Sequence, residues 1–478
     1  MRDEDLCYLP ATELIEKFKT KELSPFEVMQ AVIHQTEKAE PVVNAFSHTF
    51  FDQALEQAKK AEQKYARGKR TGSLEGLPIA IKDETGIKGQ PMTNGSLIYK
   101  DYVATETSVN NARIMRAGGI VHARSNTPEF SCAGYTHSKL HGVTRNPWNP
   151  AYTSGGSSGG ASASLASGTC SVATGSDIAG SIRIPSAACA LVGLKPAFGR
   201  NPETVPFNLD QYCHAGPMAR NVKDAILLQN VMCGPHPSDI ALIRPKLRLP
   251  LNYKPIKGWK IAYSMDLGSY EVEDDVRNNT LRALDVFRDL GATVEEVDLE
   301  WPKDIVAQGN KYLEHLFGTS MIEAYEAHGD ALTDYAIEWA QKGSRSTTRE
   351  FLQSQTVAGN MYANFGPVMQ KHNLFICPTN NLAAVKAEHN QARDKVVING
   401  KQVDPFVGWV MTLPFNMMSR CPVMTMPTGM TSYKVPTSIQ LVGDTYCEVD
   451  VCRAALAFEN EVGQWFRNSG HRPKFDVQ

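Results

Sequence analysis

Between Ser154 and Pro185 the chain is dominated by Gly, Ser and Ala, and it carries no acid or base until Asp177 and Arg183. Small residues prevail where backbones approach closely or where backbone N–H groups must face a ligand. A flexible Gly/Ser linker is the competing reading. Against it, Leu165, Val172, Ile178 and Ile182 are interspersed, and the apolar run 189–194 follows. A phosphate loop needs a lysine closing its glycine turn, whereas the nearest lysine downstream is Lys195, followed by Pro196. The elbow Gly-x-Ser-x-Gly occurs around Ser157 and Ser158, but it requires a buried strand before it, and residues 146–153 read as a loop. Cys132, His137 and His141 offer a His-x3-His spacing for zinc, without a paired cysteine or helical periodicity. These are read as loop residues, with no metal and no cofactor.

Serine chemistry without histidine is the remaining option. An attacking serine hydroxyl must lose its proton, so it needs a base within hydrogen-bond reach. A lysine serves when burial lowers its pKa toward neutrality, and a second serine relays the proton where the lysine does not reach. The developing oxyanion then wants backbone donors, which a turn such as Ile178-Ala179-Gly180-Ser181 supplies. Lys82 and Lys195 are both candidates for the base. Lys82 reads as the only lysine ending a buried apolar strand, but the residues alone do not choose between the two.

The elements that must hold these groups alternate between helix and strand. Ser24-Pro25-Phe26-Glu27 is a capping box opening a helix to about residue 40, and a second helix covers about 50–67. Leu77-Pro78-Ile79-Ala80-Ile81-Lys82-Asp83 reads as a buried strand. A helix from about Val109 to the Gly118-Gly119 stop leads into a strand at 120–123. Further strands are expected at 260–263, 292–299, 374–377, 423–426 and 438–442, with helices at about 276–290 and 448–465. This alternation predicts an α/β architecture around a mostly buried sheet. The stretch 305–371 reads mainly as helix and is cap-like; no domain boundary interrupts residues 1–478.

Composition narrows the function. The chain has 478 residues, 42% hydrophobic and 21% charged, with 49 Lys plus Arg against 51 Asp plus Glu. That balance gives no electrostatic reason to seek nucleic acid or an anionic membrane surface. No apolar run approaches the length of a spanning helix. The charged start Met1-Arg2-Asp3-Glu4-Asp5 argues against a secretory leader, and the ten scattered cysteines suit reduced thiols, so the expected location is cytoplasmic.

The motifs together resemble the amidase signature hydrolases. Gly76 to Asp83 is similar to that family's lysine strand. Its signature is matched by Gly155-Gly156-Ser157-Ser158-Gly159-Gly160, by Gly180-Ser181-Ile182-Arg183-Ile184-Pro185 and by Gly193-Leu194-Lys195-Pro196. Arg145-Asn146-Pro147-Trp148-Asn149 and Gly216-Pro217-Met218-Ala219-Arg220 also fit, so strong matches cover about 75–220. The resemblance implies an α/β/α sandwich with a large twisted mixed sheet flanked by helices. It also implies a Ser–cis-Ser–Lys triad: Ser181 as nucleophile, Ser157 as relay after a cis bond from Gly156, and Lys82 as base, with Lys195 left in a structural turn. The oxyanion hole would be the amides of Ile178, Ala179, Gly180 and Ser181. Two departures stand out: Ala179 replaces the first of two usual glycines, and Ser176 replaces a usual threonine.

Asp177 and Arg183 are expected to pair and brace the loop, Ser158, Ser162, Ser164 and Ser167 to pack helices, and Ser154 and Cys132 to be candidate substrate contacts. The expected activity is hydrolysis of a small neutral amide, aliphatic or aryl, or a related carbamate or ester, through a serine acyl-enzyme. One rival is the glutaminase subunit of a glutamyl-tRNA amidotransferase, which works in a complex. That type of chain typically has Gln in place of Ile184 and Pro-Thr-Tyr in place of Pro196-Ala197-Phe198. Another is a non-catalytic binding protein retaining the fold, which conflicts with the presence of all three triad residues. The expected partner is the amide alone, with a homodimer left open. Tyr312, Leu313, Leu316, Phe317, Met321, Ile322 and Tyr325 recur at helical spacing. They either pack on the sheet or line a pocket for an uncharged substrate.

Overall fold

The run Pro78–Lys82 is flanked by a parallel strand on each side, deep inside an eleven-stranded mixed sheet. The computed structural model describes residues 3–475; Met1 and Arg2 of the charged start lie outside the described residues. In chain order the strands are β1 (Phe46–Thr49), β2 (Pro78–Lys82), β3 (Ile120–Ser125), β4 (Val172–Asp177), β5 (Val192–Lys195) and β6 (His214–Ala219). They continue as β7 (Lys260–Tyr263), β8 (Thr293–Glu296), β9 (Leu374–Pro378), β10 (Val423–Met430) and β11 (Pro436–Val442). Their order across the sheet is β1-β3-β2-β4-β6-β5-β10-β11-β9-β7-β8.

Successive residues of one strand divide between two apolar cores, as the period of two requires. Leu374 and Ile376 enter one core while Phe375 and Cys377 enter the other; Ile261 and Ala262 split in the same way. Helices therefore cover both faces, and the expected α/β/α sandwich is the observed one. The first core takes in residues of the helices Pro25–Val43, Gly159–Ala166, Val222–Met232, Asp274–Asp289 and Glu448–Val462. The second collects the helical stretch after Ile305 and the loop around Trp409.

The capping box at Ser24 and Glu27 forms, with both reciprocal hydrogen bonds. Two short helices precede it, Asp3–Cys7 and Ala11–Thr20, which the sequence pattern did not reveal. The second has a tertiary cap. The buried Asp224 carboxylate accepts hydrogen bonds from the backbone N–H groups of Ala11 and Thr12 at 2.6 and 2.9 Å. The Gly/Ser stretch is not a linker: it folds into the helix Gly159–Ala166, strand β4 and the helix Arg183–Ala188, nearly all of it buried. The stretch after Ile305 is helical but broken, with a π-helical segment Glu314–Gly318 and a 3-10 turn Thr319–Met321 before the helices Ile322–His328, Asp334–Arg345 and Thr348–Met369. No helix among the described residues is long and apolar enough to cross a membrane.

Candidate active site

Lys82 ends β2 with its side chain 1% exposed, beneath the loops that follow β4 and precede the helix Gly159–Ala166. Its ammonium donates to Ser157 Oγ at 2.7 Å and to Ser176 Oγ at 2.8 Å, and it pairs with Glu84 Oε2 at 2.9 Å. Burial pushes the lysine below its ordinary pKa, while the Glu84 carboxylate pulls the other way. Burial would raise Glu84, but the Lys82 charge and hydrogen bonds from Ser131 and Ser176 outweigh it and hold the carboxyl below its usual range.

Ser157 follows a cis peptide bond from Gly156, as the family resemblance implies. Only glycine fits before it, because a Cβ at Gly156 would lie 2.4 Å from the Tyr135 carbonyl oxygen. Ser181 sits on the turn after β4, and its carbonyl accepts from the Ser158 amide at 3.3 Å, which ties the two serine loops together. Its hydroxyl forms no hydrogen bond with Ser157 or any other described residue; in unliganded enzymes such bonds often tighten only with substrate. Gly180 has φ +127°, and a Cβ there would meet Thr412 Oγ1 at 2.1 Å. The same hydroxyl donates to the Ala179 carbonyl at 2.6 Å and fixes the turn. Among the described residues, the amides of Ile178, Ala179, Gly180 and Ser181 donate to no protein acceptor.

The turn is clamped from below. Arg183 grips Asp177 through two hydrogen bonds of 2.9 Å, and it also donates to the Thr412 carbonyl, Gln440 and Asn416. Burial would raise Asp177, but Arg183 lowers it to about 2. The pair's contribution to stability is therefore present above the ordinary aspartate value of 3.8 and is lost as pH falls toward about 2. Arg183→Gln is expected to leave a buried carboxylate without its counter-charge and to cost about 3–5 kcal/mol. Denaturant unfolding at neutral pH measures the loss.

A cavity of about 330 Å³ has Glu84, Ser157, Ser176, Ile178, Phe317 and Met321 in its wall. Ser181 borders an adjoining narrow void of about 10 Å³, together with Cys132, Ile178, Ala179 and Phe317. Burial pushes the Cys132 thiol up, and the sulfur donates to the Glu129 carbonyl. Ser154 is fully buried and lines neither space. Tyr325 also lies outside both, so the expected apolar face contributes Phe317 and Met321 to the cavity but not Tyr325.

Lys195 departs from its expected place. It ends the buried strand β5 and is not in a turn, so Lys82 is not the only lysine closing a buried strand. Burial and the nearby Arg183 charge lower it to about 7. Its ammonium donates to the Cys421 carbonyl at 2.9 Å and, at 3.4 Å, to those of Pro196 and Ser419, with no serine hydroxyl among its partners. His137 Nε2 bonds the His389 carbonyl and His141 Nε2 bonds Thr93, while Cys132 is held as above. Among the described residues no group of three His, Cys, Asp or Glu is arranged to hold a metal ion.

Sequence reasoning missed Glu84 and Ser176 as partners of the lysine, and Ser131 as the partner of Glu84. Glu84 was within reach of it, two residues beyond Lys82 in the sequence. Ser131 comes from a distant loop and left no local signal.

The family model for amidases matches residues 27–452. An acylamidase of Rhodococcus erythropolis is 31% identical over 464 residues, covering 96% of each chain. A glutamyl-tRNA(Gln) amidotransferase subunit of Thermosynechococcus vestitus is 30% identical over 486 residues, covering 94% of this chain and 96% of that one. A bacterial aryl acylamidase of the amidase signature family superposes with a TM-score of 0.90 at 28% identity, over 98% of this chain and 99% of that one. The chain belongs to the amidase family, the amidase signature hydrolases.

Proposed function

We propose that this chain hydrolyses small neutral amides through a covalent intermediate on Ser181, with Ser157 as proton relay and Lys82 as base. The observation that carries the reading is the 2.7 Å hydrogen bond between Lys82 Nζ and Ser157 Oγ, made by a lysine whose burial favours its neutral form. Ser181 Oγ attacks the amide carbonyl carbon. Its proton passes to Ser157 Oγ, and the Ser157 proton passes to Lys82, which becomes an ammonium. The carbonyl oxygen takes the negative charge and is met by the unengaged amides of the turn 178–181. Collapse breaks the C–N bond as Ser157 protonates the leaving amine and recovers a proton from Lys82. Water attacks the ester by the same route and releases the acid.

The cavity lining favours an uncharged substrate. It includes no Arg or Lys; its two acids are Glu84, paired with Lys82, and Glu203, which burial and the nearby Glu84 charge push up to about 8. The α-carboxylate of free glutamine would have no counter-charge there, which disfavours the glutamine-using amidotransferase reading. Anilides and aliphatic carboxamides, with carbamates and esters as relatives, fit the mixed lining of Phe130, Phe207, Phe317 and Met321. The purified chain is expected to turn over such amides unaided. Turnover that appears only with glutamine and a partner protein would overturn this.

Phe317→Ala is expected to lower kcat/KM for an anilide on the order of tenfold relative to an aliphatic amide, since Phe317 borders both spaces. Tyr325→Ala should leave that ratio unchanged. Competition assays with the two substrates measure it.

A further inference from the structure

Lys82 has three partners, and one of them is an acid. Glu84 stands just past the end of β2, largely buried, with Oε2 2.9 Å from Lys82 Nζ. It is held from a further side by the Ser131 hydroxyl, which donates to it, while Ser176 beside it accepts from Lys82. A carboxylate this well held beside a base resembles in role the acid that orients the histidine of a serine protease, although the base here is an amine.

We propose that Glu84 is a positioning residue for the base: it fixes the Lys82 side chain against Ser157 and balances the ammonium that forms when the relayed proton arrives. This rests on the reading of Lys82 as base given above. The step moves one proton from Ser181 through Ser157 to Lys82, so a positive charge appears on a buried Nζ. Glu84 stays ionised throughout and takes no proton. The other charged or titratable groups acting on Lys82 are Asp177 on β4 and Cys213 at the start of β6. Glu84 also feels Arg124 on β3 and Glu203. Of these, Glu84 alone touches the ammonium. The same contact sets the pH range of the enzyme. A carboxylate beside the amine keeps it protonated to higher pH, so the rate rises with pH later than burial alone would dictate.

The test is the pH dependence of kcat/KM for one neutral anilide, with wild type, Glu84→Gln, Glu84→Asp and Lys82→Ala. In Glu84→Gln the acid limb is expected to move down by about 1–3 pH units, the effect of removing an opposite charge in contact. Its plateau should fall, because the weaker base accepts the proton less readily. Glu84→Asp should return the limb toward the wild-type position. A slower Glu84→Gln enzyme whose limb has not moved would overturn the proposal and leave Glu84 a packing residue. Undiminished turnover by Lys82→Ala would instead overturn the assignment of the base, and the proposal with it.

Discussion

Ser181→Ala is expected to abolish amide hydrolysis and, with it, covalent labelling by a fluorophosphonate. Loss of a nucleophile from a catalytic unit of this kind lowers kcat on the order of 10⁶-fold, because the remaining groups have no bond to make. The structure makes the loss interpretable. The Ser181 hydroxyl forms no hydrogen bond with any described residue, and the turn is held by Gly180, Thr412 and the Asp177–Arg183 pair instead. Removing one oxygen should therefore leave the thermal midpoint within a degree or two of wild type. Mass spectrometry of the labelled protein locates the modified peptide. Stoichiometric labelling of the variant on that same peptide would mean that another hydroxyl attacks, with Ser157 and Ser176, which line the cavity, the first to test.

Lys82→Ala should cost several orders of magnitude in kcat/KM, in line with loss of a triad member. The wild-type rate should climb toward mildly alkaline pH as the lysine, held down by burial, gives up its proton. Removing the amine should abolish that limb. Lys195→Ala is the control. Its ammonium satisfies backbone carbonyls, so its removal should lower stability while the pH limb stays where it was. Retained turnover in Lys82→Ala together with loss in Lys195→Ala would transfer the role of base to Lys195.

Much of this site was legible because its requirements are local. A strand that must be buried on both faces reads as Pro-Ile-Ala-Ile, and its terminal lysine is conspicuous for that reason. The serine loops need small residues to pass one another, and the sequence shows those residues in a nearly continuous run. What escaped detection depends on distant partners. The helix Ala11–Thr20 is capped by Asp224, which no local pattern announces. The family resemblance implies a turn at Lys195, yet pairing with β6 and β10 makes Val192–Lys195 a strand. Tyr325 shares the apolar periodicity of Phe317, but the π-helical segment between the helices breaks the single face that periodicity assumes. Ser131 reaches Glu84 from the turn Glu129–Ser131 that follows β3, the parallel neighbour of β2, 47 residues further along the chain.

The sheet order has a consequence for how the chain comes to be active. Strand β5 ends at Lys195, while its outer neighbour β10 begins at Val423, and Arg183, just past the Ser181 turn, donates to Thr412, Asn416 and Gln440. A chain made from its N-terminus therefore presents the serine loops long before the segments that brace them exist. A nascent or truncated chain ending before Thr412 carries Ser181 but lacks every one of these braces, and β5 offers an open edge to any passing strand. On the proposed mechanism, removal of the residues from Thr412 onward is therefore expected to abolish activity even though Lys82, Ser157 and Ser181 all remain.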